Sequence, residues 1–352
     1  MEEYSVNIEV TDKFNDEVIK CLKIFYEQTP YSNYSSMPNE WSYWFDKNPY
    51  GKGLYSIARH GEKIIGFCAL IPVEMVVNNS IIRGAKAEFL FVLPDYRKRK
   101  AGNLKQPVSV TLLRALYESS YSYSFNLIFG VATKAAAKAH LEAGKKPMDL
   151  ELLHYFTIFK PREFREFNRI KGFIYKYGSF FASVLLRNRI TAYKDSGFTI
   201  LKSIDSIENI NTLLIGENEL LYHDRKMLNF RFNKDDCLIY QFENLSKDYL
   251  IFSKPFKNGR VFLRHWSSMD LGYEYFASVL KDLFKRCKAA GAQSVNLVFT
   301  GVNNNLKIDL TKLGFLKRKS LDILLFYKSN PGLKLSYNAK DWYFTDSHRG
   351  FI

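Results

Sequence analysis

The chain has no apolar run approaching the roughly 20 residues that a helix needs to cross a bilayer. Its first residues, MEEYSVNIEV, lack the basic and apolar regions of a secretory signal. Together these absences point to a cytoplasmic protein. Cysteine is scarce: Cys21, Cys68, Cys237 and Cys287 are dispersed among apolar neighbours without the spacing of a metal site or a redox pair. Core thiols in a reducing compartment are expected. The six histidines show no metal-ligand spacing, so no metal is expected either. Acidic residues are outnumbered, 36 Asp and Glu against 51 Lys and Arg, for a formal net charge of +15. Such a surface draws anionic partners from a distance. Hydrophobic residues make up 47% of the chain, which excludes a largely disordered protein, and 352 residues suit two cores better than one.

The most informative stretch is FLFVLPDYRKRKAG, residues 89–102, an apolar strand that runs into a basic, Gly-containing turn and then a helix. Val92 and Pro94 end the strand, Arg97, Lys98, Arg99 and Lys100 supply four positive charges, and Gly102 lets the backbone turn into LKQPVSVTLLRALYESS. Unpaired amides at a helix start would face an anion, with the helix dipole adding to the attraction. A basic turn after a strand is also a common solvated loop, and both readings stand.

The helix leads to FNLIFGVATKAAAKAHLEAGKK, a buried strand, then a helix from about Thr133, then a stop at Gly144. A related pattern returns as VNLVFTGVNNNLKIDLTKLGFLKR. Asn126 and Asn296 are 170 residues apart, as are Gly144 and Gly314; Leu127 matches Leu297 and Phe129 matches Phe299. Each unit continues into an apolar strand, LELLHYFTIF in the first and SLDILLFYK in the second. Equal spacing favours a duplicated domain. The reading is an N-terminal domain over 1–160, a linker over 161–195 and a C-terminal domain over 196–352. The linker is unusual, because Lys and Arg flank an apolar GFIYKYGSFFASVLL that is too short to span a membrane. It fits either a bilayer surface or an apolar seam.

These residues carry a family resemblance. Val92, Pro94, Arg97 and Gly102, followed by a strand and a helix ending in HLEAGKK, resemble the acyl-CoA-binding core of the GNAT superfamily of N-acyltransferases. The repeat resembles a tandem, two-domain member. EWSYWFDKNPYG (40–51), HDRKMLNFRF (223–232) and the closing DWYFTD (341–346) resemble pieces of a bacterial tandem group associated with surface-polysaccharide biosynthesis. The resemblance implies an α/β (α+β) fold of two GNAT-like domains, each a mixed, mostly antiparallel sheet flanked by helices. It implies acetyl-CoA or another acyl-CoA as co-substrate, held by Phe91, Val92, Arg97, Lys98, Lys100, Gly102 and Thr133. Lys100 stands where the family's phosphate turn has its first Gly, and its ammonium either crowds the phosphate or replaces the missing contact. The second domain has no such turn, since KNGRVFLRHWSSMDLGYEYF offers no basic loop before its helix. One cofactor site, in the first domain, is expected.

Acyl transfer by direct attack needs a base for the nucleophile's proton, a donor for the oxyanion and an acid for the departing thiolate. Glu88, just before the Phe91 and Val92 strand end, is the candidate base; the alternative is an outward-pointing strand residue. His140 falls where the family resemblance places a Tyr that protonates the CoA sulfur, and an imidazole suits that work near neutral pH; the alternative is a packing residue. Trp41 and Trp44 crowd a short helix that borders the family's acceptor channel, where they would touch substrate, or they are core.

The expected activity is transfer of an acetyl or other acyl group from acyl-CoA to an amine, on an amino sugar, nucleotide- or lipid-linked, destined for a surface polysaccharide. Rival readings are an N-acylamino-acid synthase fed by acyl carrier protein, a Fem-type aminoacyl transferase fed by tRNA, and a non-catalytic binding module. The single phosphate turn argues for a CoA-like donor and against nucleic acid. The linker adds an expected peripheral contact with the inner membrane face.

Overall fold

The computed structural model describes residues 5–28, 41, 44–97, 104–148, 152–160, 170–188, 190, 197–210, 218–219, 222, 224–232, 237–243, 247–267, 272–300, 310–319, 323–337 and 342–343. The strands run β1 (Val6–Thr11), β2 (Leu54–His60), β3 (Lys63–Val77), β4 (Ser80–Val92), β5 (Leu127–Ala132), β6 (Lys146–Pro147), β7 (Leu152–Ile158) and β8 (Phe198–Leu201). They continue as β9 (Asn218–Glu219), β10 (Cys237–Phe242), β11 (Tyr249–Ser253), β12 (Arg260–Trp266), β13 (Ser294–Thr300), β14 (Leu316–Lys319), β15 (Ile323–Lys328) and β16 (Trp342–Tyr343). The helices are α1 (Asp16–Glu27), α2 (Val108–Ser120), α3 (Lys134–Glu142), α4 (Ile170–Asn188), α5 (Arg225–Phe232) and α6 (Tyr273–Ala290).

Local sequence explains these elements. The near-continuous apolar run of β3 is buried almost throughout, as a central strand covered on both faces must be. Asn78 and Asn79, both with positive φ, turn β3 back into β4, a role that Asn tolerates. Asn15 caps α1 by accepting from the Val18 amide at 3.1 Å, and Asp16 and Glu17 sit at the positive end of its dipole. Helix α6 stops at Gly291, whose φ of +70° is the left-handed closure that glycine allows. The helix after the basic turn begins only at Val108, later than the sequence suggested, because Pro107 cannot donate within a helix and instead starts one.

The chain divides into two units, one of residues 1–149, 216–222 and 321–341, the other of 150–215, 223–320 and 342–352. In the first, the sheet order is β1-β2-β3-β4-β5-β15-β6, with β9 against β3. Neighbours are antiparallel except β4 and β5, which are parallel. In the second, the order is β8-β10-β11-β12-β13-β7-β14, antiparallel except for the parallel pair β12 and β13. The two mixed sheets have the same topology, and the residues of the repeat read from the sequence fall on matching strands: Leu127 lies on β5 and Leu297 on β13. Gly144 and Gly314 both adopt positive φ, +102° and +91°.

The partition differs from 1–160 and 196–352 by an exchange of segments, 216–222 and 321–341 joining the first unit and 150–160 the second. The strand following β6 in the chain, β7, pairs β13 in the second unit, while β15 completes the first unit by pairing β5 and β6. Each apolar strand was visible in the sequence, but its ladder partner lies far along the chain, where side-chain alternation carries no address. Of the expected linker, 161–169, 189 and 191–196 lie outside the described residues. Its helix α4 packs within the second unit, where Ser183 Oγ donates to the Ile158 carbonyl at 3.1 Å and Phe180 meets Phe156, Ile158 and Leu316.

Candidate active site

In the first unit the parallel ladder of β4 and β5 runs only from Gly84–Leu127 to Lys86–Phe129. Beyond it, β4 stays with β3 while β5 stays with β15, and the two strands part. The divergence has a local cause. Register between β3 and β4 slips where Ala69 faces Glu88 but Phe67 faces Phe91, which inserts one extra residue into β4. Phe89 at this bulge has φ +60°, a conformation that costs an aromatic residue energy and persists only when its surroundings enforce it. The enforcement is aromatic packing: Phe25 meets Phe89 edge-on at 5.4 Å, and Phe45 and Tyr26 lie at 5.8 and 6.2 Å. Trp41 stacks on Tyr26 at 5.5 Å and is buried, as is Trp44. Trp41 is therefore core in the layer that supports the bulge.

Backbone amides and carbonyls of β4 past Lys86 and of β5 past Phe129 flank the opening, and an extended ligand could pair with them like an added strand. Phe91 and Val92 lie at its rim, buried. Arg97 follows a short 3-10 turn over Pro94–Tyr96 and donates through Nε to the Val92 carbonyl at 2.7 Å, which ties the turn to the strand end. Lys98, Lys100 and Gly102 lie outside the described residues. Thr133 caps α3, its hydroxyl accepting from the Ala136 amide at 3.4 Å.

Buried polar side chains lie near this divergence. Lys86, fully buried, forms an ion pair with Glu88, whose side chain is 23% exposed. His140 sits on α3 with Nδ1 2.6 Å from the Tyr117 hydroxyl on α2. Burial, with a contribution from the Lys145 charge, holds the imidazole well below its ordinary range, so it is neutral at physiological pH. Burial likewise raises Tyr117 and keeps its phenol protonated. The residue missed by sequence reasoning is Lys145, one position past the helix-stopping Gly144. Its ammonium is desolvated, which brings it down to about 7, and Glu88, Cys68 and His140 all interact with it electrostatically. Glu88 and His140, proposed from sequence for opposite ends of one reaction, thus share a neighbour.

The second unit repeats the backbone but not the chemistry. Its parallel pair ends at Phe262–Asn296, and a register slip against β11 recurs at Ile251/Phe252. Asn296 Nδ2 donates to the Val261 carbonyl at 3.4 Å and Asn126 Nδ2 to the Arg83 carbonyl at 3.3 Å, so each repeated Asn ties its strand to the parallel neighbour, Asn126 before the first paired position and Asn296 at the last. The counterparts of His140 and Lys145, however, are Leu310 and Phe315, both in the apolar core. Among the described residues no cluster of His, Cys, Asp or Glu is placed to hold a metal ion.

No family model and no curated protein matches the sequence. Solved structures do match in fold. A probable N-acyltransferase from Enterococcus faecalis gives a TM-score of 0.56 at 10% identity, over 93% of this chain and 73% of that one. A tandem GNAT protein of the clavulanic acid biosynthesis pathway gives 0.53 at 10% identity, over 93% and 100%. A glucosamine N-acetyltransferase region of a fungal β-N-acetylglucosaminidase gives 0.56 at 12% identity, over 91% and 38%. The chain has the fold of the GCN5-related N-acetyltransferases, built twice as in a tandem member of that class.

Proposed function

We propose that the chain transfers an acetyl or other acyl group from an acyl-CoA to an amine, and that the acceptor is an amino sugar of surface-polysaccharide biosynthesis. The observation that carries the donor assignment is the opening between β4 and β5, bounded by the Phe89 bulge and leading through Arg97 to the basic turn. A glucosamine-acetylating neighbour supports, without extending beyond that protein, the choice of an amino sugar. In this reading the acceptor amine gives its proton to Glu88 and its nitrogen forms a bond to the thioester carbon. The carbon–sulfur bond then breaks and the thiolate takes up a proton. His140 enters this step as a neutral imidazole with Nδ1 engaged, so it passes a proton as a relay with Tyr117 rather than as an imidazolium acid.

Titration calorimetry with acetyl-CoA tests the donor. Binding is expected to weaken about tenfold in Lys98→Glu combined with Lys100→Glu, with the loss larger at low salt, where phosphate contacts are less screened. Absence of binding to the unaltered chain would remove the assignment.

The peripheral membrane contact stands as a second part of the proposal. No helix among the described residues is long and apolar enough to cross a membrane. On α4, Phe181 and Leu185, one turn apart, are 61% and 69% exposed in a basic segment. Co-sedimentation with anionic liposomes should be salt-sensitive and should fall severalfold in Phe181→Ser with Leu185→Ser. Sedimentation unaffected by both changes leaves α4 with its packing role alone.

A further inference from the structure

Lys145 is only 3% exposed, yet its Nζ has no hydrogen-bond partner among the described residues. Its place is well defined. The ammonium lies 5.1 Å from the centre of the Tyr117 ring, and a β-carbon added to Gly130 would stand 2.9 Å from Nζ and 3.6 Å from the Ala87 carbonyl. Ala87 and Gly130 are the residues just past the last paired positions of β4 and β5. The amine therefore sits at the inner end of the opening, where the strands part.

Packing does not require it there. In the second unit the matching position is Phe315 and that of His140 is Leu310, both buried, so the same fold closes with apolar groups. A buried ammonium costs solvation that an apolar side chain does not. Lys86 already pairs with Glu88, burial keeps Cys68 protonated by raising its thiol to about 12, Tyr117 is a neutral phenol and His140 a neutral imidazole. Glu88, the carboxylate that acts on the amine, is thus already engaged by a second lysine.

Building on the acyl-CoA reading, we propose that Lys145 is a specificity-determining residue that receives a carboxylate at the far end of the acyl group, so that the donor is a CoA thioester of a dicarboxylic acid. The carboxylate supplies a negative charge and accepts from the amine's N–H groups, a pairing that a neutral acetyl methyl cannot offer. Desolvation, which brings the unliganded amine to about 7, is offset by the incoming charge, and binding takes up a proton.

The test is calorimetric titration of the full chain with succinyl-CoA, acetyl-CoA and free CoA, repeated in Lys145→Met and Lys145→Gln. Succinyl-CoA is expected to bind about tenfold or more tighter than acetyl-CoA, and both substitutions should remove that advantage. Equal affinities, an advantage that survives in Lys145→Met, or an equal gain for free CoA from Lys145 would overturn the proposal, the last by assigning the amine to the thiolate. Acetyl-CoA binding without a preference overturns this inference alone, whereas binding of none of the three overturns the acyl-CoA reading and this one with it. As a control on folding, Lys145→Met should melt no lower than the unaltered chain; a lower melt would show that the amine supports the fold and would also overturn the proposal.

Discussion

Glu88→Gln should lower turnover by about 100-fold or more while leaving acyl-CoA affinity within about twofold, the pattern of a group used in the transition state and not in binding the donor. The substitution has a second effect that must be separated from the first. Lys86 is fully buried and forms an ion pair with Glu88, so the neutral amide weakens the compensation of a buried ammonium. Breaking such a pair from one side costs about 3 kcal/mol or more. Combining Glu88→Gln with Lys86→Met removes that buried charge, and stability measured by urea denaturation should return towards that of the unaltered chain. Turnover should not return. If the double variant recovers turnover with stability, Glu88 only neutralises Lys86 and the general base lies elsewhere.

A chain of residues 1–160, which the repeat would suggest as a complete domain, is expected not to fold cooperatively. Without residues 323–328, β5 loses its antiparallel neighbour over its whole length and β6 loses its partner among the described residues, β15. Leu324, Leu325 and Phe326 are fully buried, and each such side chain contributes about 1.5–3 kcal/mol relative to exposure. Their sum is comparable with the whole stability of an ordinary domain, about 5–15 kcal/mol. The exposed edge of β5 would also invite aggregation. A sharp thermal transition of the 1–160 fragment by circular dichroism, with a monomeric elution volume, would contradict this.

Much of the architecture was legible because it is written locally. The apolar run of β3, the Asn pair of the following turn, the repeated Asn, and Gly144 with Gly314 are read within a few residues of where they act. What was not legible is what depends on distant pairing. Nothing in LELLHYFTIF or SLDILLFYK says which sheet will take it, and the structure assigns each to the unit that the other half of the repeat begins. The site divides in the same way. Glu88, Phe91, Val92 and Arg97 are placed by one strand and its turn, and they gather at the opening. Trp44 is buried, and Trp41 is buried against the rings that hold the bulge, a demand set by the φ of Phe89 and invisible in the tryptophan itself. Lys145 was concealed by its neighbours in HLEAGKK, where a lysine after a helix-stopping glycine looks like ordinary surface. Only alignment with Phe315 marks it as a position where the fold wants an apolar group.

The bulge at Phe89 also bears on the thermodynamics of association. Its left-handed backbone is held by rings that need no ligand to stack, so the gap between β4 and β5 is already open before a donor arrives. A preorganised slot spares the donor the entropy of ordering a loop around itself, and more of the contact energy is then left to show as affinity.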